Sequence, residues 1–543
     1  MTFRSQSVNI KESLQLFEDY LRNFNNIAPY FRWNPLDDWS SCIKERLHYY
    51  NWRKEISGIL YQQNLRWNSG TTTISNIESL AEPNSVAVVT GQQVGIFGGP
   101  LYTVYKILST IKLAQQLNNR FDKWKFIPIF WMEIGDNDYK EINHFYFFSM
   151  ANELVRFELP DQPNDYRSVY LRDIPSDINF IHEKLEKVSL PSEFRDEILN
   201  KLRKNYAQGK SFSTAFAEFL HNNFGKYGLV VMDPTDKQLV KLARPLFEDV
   251  LEKSNEVQIE LNDNMQDLVQ KGYHVQISLN SFQTLLFMEN KNKDRSKILI
   301  EGEKVEIVNP KISEKITRQD LLKILSQSPE KFTPNVALRP LLQDYLLPTV
   351  AYIAGPSEIS YAAQLKPLYR LFGIVQPIFY PRVRITLVEN KIQRFIEKFS
   401  FGYTQLFQNR EKVIEEYIEN ITNEDILKEF RTFENQIQVL ITNLKEPLIK
   451  MDPTLSGSLE KTEKNMVTSL LKLRDKIDLS VKRKKENEVG QLNKIILNLF
   501  PNKEYQERIL NSYYYQIKYG PDFIDYIYDT IDIDDWDHQL IFI

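Results

Sequence analysis

Cysteine is almost absent: Cys42 stands alone, which excludes an internal disulfide framework and any multi-thiolate metal site. It lies in an amphipathic pattern with no histidine motif beside it, so it does not read as a catalytic thiol. His48, His182, His221, His274 and His538 are scattered without metal-ligand spacing, and no metal site is expected. Neither sign of charge is in excess, with 68 Lys and Arg against 72 Asp and Glu, so no global attraction to nucleic acid or an anionic membrane follows. Apolar runs fall well short of the ~20 residues that span a bilayer. The N-terminal segment lacks the apolar core of a signal peptide, so a cytoplasmic protein is expected. Neither G-x-G-x-x-G nor the Walker pattern occurs.

Glycine is also scarce, with 18 in 543 residues, yet Gly91, Gly95, Gly98 and Gly99 fall within nine positions of "SVAVVTGQQVGIFGGPLYTVYKIL". A chain this long exceeds what one core serves, and the pattern divides it. Residues 1–80 read as helices packed on a core. Residues 81–150 carry a strand–helix–strand unit: "VAVVT", a helix with Leu101, Val104, Tyr105, Leu108 and Ile111 on one face, and "KFIPIFWM". Residues 151–225 read as a mostly helical insertion. Residues 226–382 return to the core through "GLVVMDPTD", "PTVAYIAG" and "QPIFYPR", with a β-rich excursion near 270–310 beginning at "YHVQISL". The sum is a doubly wound, Rossmann-like parallel sheet.

Residues 383–500 are charged, helical and nearly free of glycine. Phe433, Ile437, Leu440 and Leu444, then Met466, Leu470, Leu473 and Ile477, form two seams spaced 4, 3 and 4 apart. "KEPLIKMDPTLSGS" between them predicts the turn of an antiparallel hairpin, pairing either within one chain or between two copies. Residues 501–543 read as an acidic surface edge with aromatic anchors.

Four constellations could carry chemistry. The glycine loop places Thr90, Gly91, Gln92, Gln93, Gly95, Gly98, Gly99 and Tyr102 between a strand end and a helix start, where backbone N–H groups could approach an anion. "YIAGPSEISYAAQLKPLY" repeats that grammar with Gly355, Glu358, Tyr361, Gln364 and Lys366. "FWMEIGDNDYKEINH" gathers Trp131, Glu133, Asp136, Asn137, Asp138, Glu141 and His144 at the end of another strand, a set suited to acid–base work, to holding an amine, or to Mg²⁺ beside a nucleotide. Arg339, Arg382 and Arg384 adjoin strand ends and could grip carboxylate or phosphate. Each constellation also has a plain reading: a tight turn, a capped helix, an acidic loop, a helix entry.

Together "VVTGQQVGIFGGPLYTVYKILSTIKLA", "FWMEIGDNDYKEINH", "LRPLLQDYLLPTVAYIAGPSEISYAAQLKPLYRLFG" and "YPRVRITLVE" resemble, in order and over essentially the whole chain, the cysteine-adding enzymes of bacillithiol synthesis, the BshC family. The resemblance implies a Rossmann-like core with connecting-peptide insertions and a long coiled coil. It also implies a ligase that joins cysteine to glucosaminyl-malate in the last step of bacillithiol formation. Where the family's acidic motif reads Glu-Asp-His-Asp, this chain has Gly135-Asp136-Asn137-Asp138, so Asn137 cannot serve as a base and His144 is the remaining imidazole nearby. Amide formation requires an activated carboxylate, most simply an acyl-adenylate or acyl-phosphate, so ATP or ADP with Mg²⁺ is the expected co-substrate, although another donor stays open. The expected roles are catalysis by Asp136, Asp138, His144 and Glu358, with substrate or nucleotide held by the loops and basic groups above. The partners are small molecules, with a homodimer open. A nucleotide-sensing scaffold and a nucleotidyl or glycosyl transferase are the competing readings.

Overall fold

A computed structural model describes residues 3–11, 13–50, 52–408, 412–421 and 424–543. It divides into two units, residues 1–387 with 505–543, and residues 388–504.

The first unit is built on a five-stranded parallel sheet in the order Ile378–Pro381, Thr349–Ala354, Ser85–Gln93, Lys125–Glu133, Val230–Met232. The strands read as unbroken apolar runs because both faces are covered. Alternate residues go opposite ways. Ala87, Val89, Ile127, Ile129 and Trp131 pack with Ile56, Leu60, Ile77 and Leu80 of the N-terminal helices. Phe130 instead turns to Phe216 of helix Phe212–Phe224, on the side that also carries helix Leu101–Arg120.

The β-rich insertion is a five-stranded antiparallel sheet over residues 283–334, ending on Phe332–Pro334. The predicted strand at 273–279 is absent. Its main chain is held by one side chain, Gln364, whose Oε1 accepts from Gln276 N (2.8 Å) and Ile277 N (3.0 Å) while Nε2 donates to Ile277 O (2.8 Å). The N-terminal segment is not wholly helical. Arg4–Val8 is a strand paired antiparallel with His538–Phe542, in a three-stranded sheet with Arg384–Val388. "RSQSV" has no apolar alternation, so only its partner reveals it. The C-terminal end is therefore woven into the first unit rather than lying on its surface, with Leu540, Ile541 and Phe542 buried.

The second unit is helical. Helix Glu424–Met451 runs through Pro447 instead of breaking there, and the turn comes at Asp452–Leu455, where the Asp452 side chain accepts from Thr454 N (2.9 Å). Helix Ser456–Lys484 then packs back on the first. The hairpin half-buries Ile437, Leu470 and Ile477 but leaves Phe433, Leu440, Leu444, Met466 and Leu473 exposed. No helix among the described residues is long and apolar enough to cross a membrane.

Candidate active site

A cavity of about 420 Å³ opens at the carboxyl ends of the parallel strands. That edge is where ligands sit in open α/β sheets. Gly91, Gln92, Gln93, Tyr102, Glu133, Asp136, Arg339, Gly355, Glu358, Tyr361 and Arg382 line it, together with residues the sequence did not single out: Lys106, Arg295, Asn335, Tyr352 and Arg508.

The glycine loop is not the anion cradle that was expected. Gly95 N donates to Gln93 O (3.0 Å), Gly98 N to the Tyr206 hydroxyl (2.9 Å) and Gly99 N to Ile96 O (3.2 Å). Asn511 Nδ2 ties down the carbonyls of Phe97 (2.9 Å) and Gly99 (2.8 Å). Gly98 has φ +84°, and a Cβ there would overlap the Phe219 ring. Gly95, Gly98 and Gly99 thus serve a buried turn and do not reach the cavity. Gly91 does: a Cβ on it would lie 3.4 Å from Arg339 Nη1 and 3.0 Å from Trp131 O. In the second loop Gly355 N is taken by Glu358 Oε2 (2.8 Å). The main-chain N–H groups of Gly95, Gly98, Gly99 and Gly355 are thus occupied by the protein itself and are not the donors that would hold a phosphate.

Glu358 was expected to act as an acid or base. Its Oε1 instead accepts from the Tyr352 hydroxyl (2.7 Å), and its Oε2 meets Gly355 N and Lys106 Nζ, the latter at 2.5 Å. Burial alone would raise its pKa, but Lys106 overrides that and holds the carboxyl below its usual range. Glu358 is an anchor. Lys106 Nζ also donates to Gly91 O (2.9 Å) and Gln92 Oε1 (3.1 Å), and Gln92 Nε2 to the Tyr102 hydroxyl (3.1 Å). One buried lysine therefore ties the end of strand Ser85–Gln93 to the first turn of helix Pro356–Ala362.

The acidic motif separates into two groups. Glu133 and Asp136 reach the cavity. Asp136 Oδ1 accepts from Asn137 N (2.7 Å) and from Arg295 Nη1 (3.0 Å), whose guanidinium lies 3.6 Å over the Phe287 ring. Glu133 faces Arg339, with Oε2 to Nε at 3.6 Å, an ion pair too long for a hydrogen bond. Glu133 Oε2 and Arg339 Nη2 are both buried without a hydrogen-bond partner. Burial pushes the Glu133 carboxyl up to about 7, with Arg339 and Arg295 opposing the rise and Asp136 adding to it. Asp138, by contrast, caps the short helix Tyr139–Ile142 by accepting from Lys140 N (3.1 Å). Asn137 and His144 are not in the cavity wall either, and His144 Nδ1 is bonded to Lys140 O (2.9 Å). Glu141 does line the wall; burial raises its pKa while the Gln93 amide opposes the rise.

Five further expected contacts lie elsewhere. Thr90 Oγ1 donates to Ile353 O (3.0 Å) inside the sheet, and Trp131 turns into the core on the side of the N-terminal helices. Gln364 is committed to the 276–277 loop. Lys366 Nζ binds the carbonyls of Pro29 (2.6 Å) and Phe31 (2.9 Å). Arg384 stacks on Phe17 and donates to Trp536 O. Arg382 reaches the cavity wall, but its charge is held by Glu507 through bonds of 3.0 and 2.6 Å.

This sheet-edge cavity and helical hairpin accompany a match along the whole chain. Residues 3–383 match the N-terminal Rossmann-like domain of bacillithiol biosynthesis BshC, and residues 385–543 its C-terminal coiled-coil domain. The chain belongs to the BshC family. A protein named "Putative cysteine ligase BshC" from Salinibacter ruber is 32% identical over 536 residues, covering 97% of this chain and 96% of its own. Proteins of the same name from Chloroherpeton thalassium (31% identical, covering 90% of this chain and 88% of their own length) and Desulforamulus reducens (30%, 96% and 96%) share this full-length match. The family fold, a Rossmann-like domain followed by a coiled coil, is the one described above. Lys106 was the most findable of the overlooked residues, since it is the one charge in the first three turns of its helix, residues 101–111, four residues after Tyr102. Arg295 and Arg508 sit in charged runs that carry no such signal.

Proposed function

We propose that this chain is a cysteine ligase acting in the cytoplasm, joining the carboxyl of cysteine to the amine of glucosaminyl-malate as an amide. Family membership supports the reaction class. The observation that carries the reading at the site is the Glu133–Arg339 ion pair, 3.6 Å between Oε2 and Nε, in which Glu133 Oε2 and Arg339 Nη2 are each left without a hydrogen-bond partner. Acyl transfer to an amine needs such a pair. The acceptor, Glu133, takes the proton from the attacking amine, and a carboxyl near neutrality suits that task. The donor, Arg339, stabilises charge on the carbonyl oxygen as it becomes tetrahedral. Asp136, anchored by Arg295, keeps the electrostatic balance around Glu133. ATP is proposed as the co-substrate that activates the carboxyl. We further propose that the exposed apolar row of the helical hairpin pairs with a second copy of the chain.

Mass spectrometry of the purified protein with cysteine and glucosaminyl-malate, with and without ATP and Mg²⁺, tests the reaction. The expected product has the summed mass of the two substrates less one water and requires ATP. Product without ATP would assign activation to another donor. Absence of product in every arm would overturn the ligase reading.

A further inference from the structure

The charges that line the cavity are mostly consumed by one another. Five cations and four carboxylates face it. Lys106 is held by Glu358 at 2.5 Å, Arg295 by Asp136 at 3.0 Å and Arg339 by Glu133 at 3.6 Å. Arg382 is held from behind by Glu507 at 2.6 Å. Two charges remain without an ion-pair partner among the described residues: Arg508, exposed on the C-terminal segment, and Glu141, exposed after the acidic motif. Both lie within electrostatic reach of the Tyr102 hydroxyl, whose pKa burial and Glu141 raise while Arg382 and Arg508 oppose.

A paired ion has little left to offer a ligand, because separating it from its partner leaves a charge stranded in the wall. Free charges are the ones that read substrates. The reaction proposed above leaves non-reacting charge on each substrate, of opposite sign on the two. Cysteine reacts through its carboxyl and keeps its ammonium. The acceptor reacts through its amine and keeps its carboxylates.

We infer that Arg508 anchors the carboxylates of the acceptor and Glu141 anchors the ammonium of the amino acid, so that two side chains from distant parts of the chain sort the two substrates. The inference rests on the ligase reading. Arg508 suits a carboxylate because its fork can engage both oxygens at once. The C-terminal segment that carries it is bound to the core by the Arg382–Glu507 pair one residue before it and by Asn511 three residues after it.

Steady-state kinetics on R508Q, R508K and E141Q test the assignment, with KM measured separately for each substrate. R508Q is expected to raise KM for glucosaminyl-malate roughly tenfold to a hundredfold, the range of a lost charged hydrogen bond, while KM for cysteine stays near that of the wild type. R508K recovers part of the loss, and E141Q gives the reverse pattern. An acceptor without carboxylates, the methyl glycoside of glucosamine, is expected to serve wild type and R508Q equally. Equal effects of either substitution on both KM values, or no effect, would overturn the inference. If the wild-type protein forms no product, the ligase reading fails, and calorimetry with each compound alone judges this one. Binding of glucosaminyl-malate that R508Q abolishes and E141Q spares supports it; binding that is absent or insensitive to Arg508 overturns it.

Discussion

Lys106 Nζ lies 2.5 Å from Glu358 Oε2 and 2.9 Å from Gly91 O, so a single ammonium group joins the end of strand Ser85–Gln93 to the first turn of helix Pro356–Ala362. Gly91 and Glu358 both line the cavity. K106M leaves Glu358, whose side chain is 18% exposed beside Tyr352, without its counterion, which costs about 3 kcal/mol, the low end for a buried pair broken on one side. Chemical denaturation is expected to show that loss for K106M and a smaller one for the double variant K106M/E358Q, where no charge is stranded.

The same test applies to Arg382 and Glu507, whose side chains are 4% and 5% exposed. Glu507 also accepts from Ile385 N (3.0 Å), so the pair clasps the C-terminal segment to the three-stranded sheet. Burial alone would raise the Glu507 pKa, but Arg382 overrides it and holds the carboxyl below its usual range. A depressed carboxyl pKa gives stability that is present above the unfolded-state value and is lost as pH falls through the folded one. Melting followed from pH 7 to pH 3 should show the wild type losing stability steeply below about pH 4.5, and E507Q, already destabilised, losing less over that interval.

Glu133 has the opposite sign. Its carboxyl is raised from 4.5 to about 7, so the folded state binds a proton more tightly than the unfolded state does. Its contribution to stability is present below the unfolded value and disappears as pH rises through about 7. E133Q is therefore expected to melt higher than wild type at pH 8 and about equally at pH 5.

Gly98 separates the two roles considered for the glycine loop. G98A places a Cβ in the Phe219 ring at φ +84° and is expected to cost about 2 kcal/mol or more in stability. The KM of the folded fraction should stay unchanged. A variant that folded normally but lost substrate affinity would restore the loop as a ligand cradle.

Leu440 and Leu444, exposed on the hairpin, are expected to pair between copies. Sedimentation velocity should find a dimer for the wild type and a monomer for L440E/L444E, with the helical content of the two alike by circular dichroism.

The parallel sheet was legible because each of its main strands is a short apolar run ending in Gly or an acidic group, with helical periodicity after it. The position of the site followed from that topology: Gly91, Glu133, Gly355 and Arg382 lie at strand ends, and all line the cavity. The roles were harder to read. Gly95, Gly98 and Gly99 signal backbone freedom equally well for a ligand or for the Phe219 ring, and only the tertiary neighbour distinguishes them. Glu358 reads as a first-turn carboxylate in either case; Lys106, 252 positions earlier, turns it into an anchor. Arg508 became visible only once Glu507 had docked its segment, a contact no local pattern encodes.

The most direct test of the account is the turnover of E133Q with saturating cysteine, glucosaminyl-malate and ATP, beside a melting curve of the same protein at pH 8. The account predicts a folded protein, more heat-stable than the wild type, whose kcat is lower by roughly a hundredfold to ten-thousandfold, the range for removing a general base. A folded E133Q that turns over within about twofold of the wild type would contradict it, because the carboxylate opposite Arg339 would then have no part in moving the proton.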